Sequence, residues 1–214
     1  MKLSAIAKTI LIIILIFAFN ANVFAKSKNK LKPYTRYMGT YNLSLPTAKA
    51  RSSYGYLSDD GDTSMFISQA VMNNALEISY LKHVSGDYKD KNSINCKIPL
   101  LNEGAFVPAV CWGTADINKE VVKKRIYYFA ASKSIDAFGI TFNGGFYKDP
   151  AESHRKAFYG VNKVVFPLVS VSAECEDGIM SYGLKLSPMP GLDLSVGQRD
   201  GREKMYGVTY NATY

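Results

Sequence analysis

Tyr206-Gly207-Val208-Thr209-Tyr210-Asn211-Ala212-Thr213-Tyr214 closes the chain in strict alternation. Tyr206, Val208, Tyr210, Ala212 and Tyr214 fall on one side, Gly207, Thr209, Asn211 and Thr213 on the other. A period of two marks an extended strand with one apolar and one polar face. The pattern continues backwards through the chain. Leu192, Leu194 and Val196 alternate with Asp193, Ser195 and Gly197, and Met180, Tyr182, Leu184 and Leu186 with Ser181, Gly183, Lys185 and Ser187. Phe138, Ile140 and Phe142 alternate with Gly139, Thr141 and Asn143, and Ile94, Cys96 and Ile98 with Asn95 and Lys97. Twelve strands are predicted, over 51–58, 63–71, 75–84, 92–100, 105–115, 124–133, 137–147, 156–166, 168–175, 179–187, 192–199 and 204–214. Strands 124–133 and 156–166 alternate poorly. No helical period competes past residue 50.

The connections take turns between two classes. Met72-Asn73-Asn74, Leu101-Asn102-Glu103-Gly104, Ser134-Ile135-Asp136, Pro167 and Pro188-Met189-Pro190-Gly191 are short and weakly charged. Residues 58–62, 85–91, 116–123, 148–155, 176–178 and 200–203 are charged and mostly longer. An up-and-down barrel of the outer membrane has short periplasmic turns and longer outer loops. An even strand number returns both barrel ends to the periplasmic side. Asn74-Ala75-Leu76-Glu77-Ile78-Ser79 matches Pro190-Gly191-Leu192-Asp193-Leu194-Ser195 in character. Each is a tight turn feeding an alternating strand, which is hairpin chemistry rather than a duplicated domain.

A secreted β-sandwich also alternates its faces. Three features favour the barrel. The apolar face is rich in Tyr and Phe, as the girdles at membrane interfaces are. The opposite face of Gly, Ser, Thr and Asn suits a wet lumen. The spacing Gly207-x-x-Tyr210-x-Ala212-x-Tyr214 resembles the C-terminal signal read by the outer-membrane assembly machinery, although Ala212 is small for its place. The expected fold is therefore all-β, an antiparallel up-and-down transmembrane β-barrel of about 12 strands, outer-membrane type.

The remaining features are consistent with export. The 214 residues, 47% hydrophobic and 21% charged, describe one ordered domain. Lys2 and Lys8, the apolar run Ile10 to Phe19, and Val23-Phe24-Ala25 read as a signal peptide over 1–25. An N-terminal periplasmic arm or plug over 26–50 and the barrel over 51–214 follow. No Cys near the cleavage site provides for lipid attachment. After residue 25 no apolar stretch approaches the ~20 residues of a membrane helix, so a helical membrane protein is excluded. Three Cys without CxxC spacing and two distant His supply neither a disulfide framework nor a zinc cluster. No metal or cofactor is implied. Removing Lys2 and Lys8 lowers the formal charge from +8 to +6, which favours anionic partners such as acidic polysaccharide or lipid headgroups. Nucleic acid does not suit an exported chain.

Several short segments resemble the YjbH-type proteins, outer-membrane proteins linked to exopolysaccharide production. These are Gly39-Thr40-Tyr41-Asn42-Leu43-Ser44-Leu45-Pro46-Thr47-Ala48, Glu103-Gly104, Pro108-Ala109-Val110, Gly113-Thr114-Ala115-Asp116, and Tyr128-Phe129-Ala130-Ala131-Ser132-Lys133 followed by Phe138. Members of that family are often much longer, so this chain would correspond to one barrel unit. The resemblance implies an outer-membrane barrel and a non-enzymatic role in exopolysaccharide production or export. It supplies no catalytic residues. The alternatives are a general small-solute porin of the same fold and a soluble periplasmic β-sandwich acting as a binding module.

The polar face is where function is sought. It carries Glu77, Ser79, His83, Asn95, Lys97, Thr141, Asn143, Ser170, Ser172, Glu174, Lys185, Asp193 and Gln198. Such a lumen pairs its Lys and Glu and offers carbohydrate hydroxyls both donors and acceptors. Whether it conducts or merely satisfies itself in a closed barrel stays open at this level. Lys26, Lys28, Lys30 and Lys32 read as a solvated arm, and residues 34–48 are the candidate plug. Catalysis has little support. His83 near Ser79 lacks any motif of an acyl-chain hydrolase and reads as a loop-proximal surface or lumen residue, as does His154. Glu174 and Glu176 read as solvated loop-edge carboxylates rather than a glycosidase pair. Cys96 and Cys111, on neighbouring strands, point to opposite faces and are not expected to bridge.

Overall fold

The computed structural model describes residues 45–122, 124–148 and 155–212. Twelve strands follow one another: β1 (Ser52–Asp59), β2 (Asp62–Val71), β3 (Leu76–Ser85), β4 (Asn92–Leu101), β5 (Ala109–Ala115), β6 (Ile126–Ile135), β7 (Ile140–Lys148), β8 (Lys156–Phe166), β9 (Val169–Glu176), β10 (Ile179–Met189), β11 (Leu192–Arg199) and β12 (Glu203–Ala212). A 3-10 turn at Asp136–Phe138 is the one helical element among the described residues. Each strand pairs antiparallel with the next. β1 then pairs with β12, from Ser52 opposite Ala212 to Asp59 opposite Met205, and closes the cylinder. Closure leaves no edge with unpaired N–H and C=O groups, the condition for strands to lie in hydrocarbon. The expected fold is found: one closed cylinder, not two stacked sheets.

Alternation decides which side chain meets what. Tyr54, Tyr56, Ile67, Tyr80, Phe142, Val196, Tyr206 and Val208 project outward and are exposed, whereas Ser53, Ser64, Ser68, Ser79, Asn95 and Ser172 project inward and are buried. At roughly 25 cal/mol per Å² of apolar surface, such an outer face is unfavourable in water and suited to lipid. Aromatic pairs knit it across strands: Tyr54 with Tyr210 at 5.3 Å, Trp112 stacked on Tyr127 at 6.0 Å, and Phe129 with Phe146 at 5.4 Å between ring centroids. No helix among the described residues is long and apolar enough to cross a membrane.

The lumen is less uniformly polar than alternation suggests. β6 sends Ile126 and Tyr128 inward, β7 Tyr147 and β8 Phe158, all buried. These strands carry aromatics on both faces, which is why 124–133 and 156–166 alternate poorly. Two glycines make room for the inward rings. Gly113 lies directly opposite Tyr128, and Gly145 directly opposite Phe158. A Cβ at Gly113 would overlap the Tyr128 ring, and one at Gly145 the tip of the Phe158 ring. A second, smaller inward cluster joins Leu57, Phe66 and Leu81.

The connections also differ from expectation in length. β5 begins at Ala109 rather than 105, so residues 102–108 form a long connection at the weakly charged end. At the charged end Asp60-Gly61 and Asp177-Gly178 are two-residue turns with positive φ at both positions (46° and 91°, 50° and 85°), the hairpin turn whose twist matches the strands. Charge, not length, distinguishes the two ends.

Candidate functional site: a strap across the lumen

Residues 45–50, just before β1, run inside the cylinder. The Arg51 N–H donates to Glu77 Oε2 on β3 (2.9 Å), and the Leu45 N–H donates to Glu174 Oε2 on β9 (3.2 Å). In a ring of twelve sequentially paired strands, β3 and β9 are six places apart, on opposite walls. Strands ~4.8 Å apart and tilted ~40° enclose a cylinder about 24 Å across between Cα atoms. Six extended residues reach about 20 Å, and the two glutamate side chains cover the rest. The segment is a strap spanning the lumen.

Side chains of the wall read the strap's backbone along its length. Lys97 Nζ on β4 donates to Thr47 O (3.2 Å) and Lys49 O (2.8 Å), and pairs with Glu77 Oε2 at 2.7 Å. Both side chains of that ion pair are 1% exposed. Ser132 Oγ on β6 accepts the Ala48 N–H (2.9 Å) and donates to Asn143 Oδ1 on β7 (2.7 Å). Leu45, fully buried, packs in the cluster with Tyr128, Tyr147 and Phe158, a burial worth about 1.5–3 kcal/mol.

A clasp holds the strap at the end that joins β1. Glu103, in the connection after β4, pairs with Lys49 Nζ at 2.5 Å, with Lys133 at 3.4 Å, and accepts the Ser134 N–H. Burial pushes its carboxyl up, but the bonds from Lys49, Ser134 and Lys133 outweigh this and hold it at about 2 instead of 4.5. A carboxyl depressed on folding contributes fully above its ordinary range and loses that contribution as pH falls from about 4.5 through about 2. Acid titration of barrel stability is expected to show a loss over that window that Glu103→Gln removes. An unchanged acid limb would mean that the clasp does not form.

The structure brings most of the expected lumen residues together in pairs. Glu77 and Lys97 are joined, with Ser79 and Asn95 buried on the same wall. Lys185 meets Asp193 at 3.7 Å, and Asp193 accepts from Ser187 Oγ (2.6 Å) and Asn211 Nδ2 (3.0 Å). Thr141 lies 3.3 Å from Ser134, and Ser172 accepts from Asn162 Nδ2 at 2.9 Å. Ser170 shares the inward parity of Ser172. His83 is an inward residue, its Nδ1 2.9 Å from Ser64 Oγ and its ring edge-on to Tyr88.

Three expectations are corrected. Gln198 faces outward: parity puts it with Leu194 and Val196, while Asp193, Ser195 and Gly197 point in. Glu174 and Glu176 are not solvated but buried inside, Glu174 holding the strap and Glu176 accepting from Tyr147 Oη at 2.9 Å. The wet lumen is, on β6–β8, an apolar seat. Cys96 faces outward and Cys111 inward, and both are free, as is Cys175. Of the assembly signal, Gly207 points inward, and Tyr210 and Ala212 point outward. Tyr214, His154 and most of 26–50 lie outside the described residues.

Sequence reasoning missed several groups. Arg199 Nη1 on β11 pairs with Asp59 Oδ2 on β1 at 2.8 Å, across β12. Arg199 shares the parity of Asp193, Ser195 and Gly197, so the signal was present. Leu45, Ser132 and Glu103 carried no such signal, because the contacts that join them to or through the strap link positions far apart in sequence.

The segments that carried the family resemblance converge here. Leu45-Pro46-Thr47-Ala48 form the strap, Glu103 its clasp, and Ala109 and Tyr128 to Ser132 its seat, with Gly113 under the Tyr128 ring. Asp116 caps the following loop, its carboxylate accepting the N–H groups of Glu120, Val121 and Val122.

Among solved structures the chain is similar to a KdgM porin, at 11% identity and TM-score 0.54, over 77% of this chain and 99% of that one. The KdgM porin in complex with disordered oligogalacturonate gives 0.53 with the same coverage, and a NanC porin 0.50 at 10% identity, over 76% of this chain and 100% of that one. The barrel shares its fold with these porins. No family model and no curated protein matches the chain. At such identities the likeness concerns architecture, and the residues described above must carry any function.

Proposed function

We propose that this protein is an outer-membrane channel of porin type, non-enzymatic, for small polar solutes, with its lumen narrowed by the strap. One observation carries the reading: a closed cylinder with an apolar outer belt around an inner wall that is largely polar outside the strap's apolar seat. The architecture shared with the KdgM and NanC porins supports it. The inner wall carries Asp59, Glu77, Glu174, Glu176, Asp193 and Glu203 against Lys97, Lys156, Lys185 and Arg199, so its described residues hold no surplus of positive charge. Acidic oligosaccharide therefore gains no electrostatic preference over neutral sugar. Proteoliposome swelling with neutral and acidic oligosaccharides of equal length tests this. Uptake of neutral sugar at least as fast as acidic is the expected result; strong preference for the acidic sugar overturns the selectivity, and impermeability with and without the strap overturns the channel. Membrane fractionation with heat-modifiable gel mobility tests the location.

A role in exopolysaccharide production or export is a second reading. It is favoured by the clustering of the YjbH-like segments around a single feature, the strap and its seat. Loss of surface polysaccharide on deleting the gene is its test.

A further inference from the structure

The wall around the strap is built as a receptor for a peptide backbone. Glu174, Ser132 and Glu77 each accept a strap N–H, from Leu45, Ala48 and Arg51, and Lys97 donates to the carbonyls of Thr47 and Lys49. These are groups from β3, β4, β6 and β9, four separate strands, aimed at successive main-chain atoms of one extended segment. Buried backbone groups must find partners, and here side chains supply the partners that a neighbouring strand ordinarily would. Shape is read as well, since Leu45, Pro46, Thr47 and Ala48 are all buried. Leu45 enters the aromatic seat of Tyr128, Tyr147 and Phe158, and Ala48 is buried where a larger side chain would meet the wall.

We propose that this socket is a peptide-binding site whose resident ligand is the chain's own strap, and that it accepts in trans an extended peptide with a leucine followed three residues later by a small residue. The five contacts from β3, β4, β6 and β9 reach backbone atoms and need no covalent continuity with β1, and the Lys49 side chain that Glu103 clasps is carried by the same segment. A tethered ligand has the advantage of high effective concentration, so a peptide in trans competes only when the tethered copy is weakened. The socket's role as a peptide receptor does not require the lumen to conduct.

The test uses the full chain in detergent micelles, with strap binding weakened in two ways. Leu45→Asp with Ala48→Asp places carboxylates in the apolar seat and beside Glu174. A second variant, with residues 45–49 replaced by Gly and Ser, buries no charge and serves if the first does not fold. The probe is a fluorescein-labelled peptide of residues 45–51, Leu-Pro-Thr-Ala-Lys-Ala-Arg, and the control is the same composition in scrambled order. Saturable binding to the weakened variants, at least tenfold tighter than to the unaltered chain and tenfold tighter than the scrambled peptide, is the expected result. Adding Lys97→Met to the Gly/Ser variant should reduce that binding at least tenfold. A barrel shown folded by its heat-modifiable mobility that binds neither peptide overturns the proposal, as does equal binding of both. Conductance recorded alongside separates the two claims. Peptide binding to a barrel that never conducts sustains the socket and removes the channel; an opened channel without peptide binding does the reverse.

Discussion

Replacing Lys97 with methionine is expected to lower the unfolding free energy by about 3–5 kcal/mol, the largest effect of any single substitution in the lumen. Removing one member of a buried ion pair leaves the other as an uncompensated charge, and Glu77 is 1% exposed. The strap loses two donors at the same step, at Thr47 O and Lys49 O. The effect should be non-additive. Glu77→Gln in the Lys97→Met background removes the stranded charge while keeping an acceptor for the Arg51 N–H, so the double variant is expected to be more stable than Lys97→Met alone. Urea unfolding in lipid vesicles, followed by tryptophan fluorescence from Trp112, measures both. A loss under about 1 kcal/mol for Lys97→Met, as found for exposed pairs, would show that the pair is solvated and the strap not seated.

The second large effect belongs to the outer face. Val208 stands mid-strand on β12, between Tyr56 of β1 and Leu194 of β11, 46% exposed. Arginine at such a position near the bilayer midplane costs about 2–4 kcal/mol, because its charge is driven into hydrocarbon or must drag water inward. Val208→Arg is expected to show that loss in vesicles, and Val208→Leu almost none. In water the ranking would reverse, since arginine there removes exposed apolar surface. A stabilised Val208→Arg would mean that this face meets solvent and that the barrel does not span a bilayer.

Much of the architecture could be read from local pattern. Period-two segments such as Leu192–Val196 and Tyr206–Ala212 alternate because each strand has one neighbour medium on each side, and that constraint acts residue by residue. Charged connections gathered at one end, and the parity that placed Glu77, Ser79, Asn95, Lys97 and Asp193 inward, are also local. Where one strand carries apolar side chains on both faces the pattern fades, as at Tyr127-Tyr128-Phe129, because the inner face there meets Leu45 instead of water. Loop length does not follow charge. Asp60-Gly61 and Asp177-Gly178 are charged enough to look like loops, but their positive φ values make them two-residue turns.

The chain's own sequence therefore determined the strand number, the closed antiparallel class and the identity of the two faces, since these follow from alternation and turn chemistry within a few residues. Only the tertiary structure decided what the inner face touches. Leu45 and Glu174, Ala48 and Ser132, Asp59 and Arg199 are 129, 84 and 140 positions apart, and nothing local couples them. Curling twelve strands into a cylinder brings opposite walls within reach of one extended segment, and burial then forces every polar group on that segment to find a partner on whichever wall is nearest.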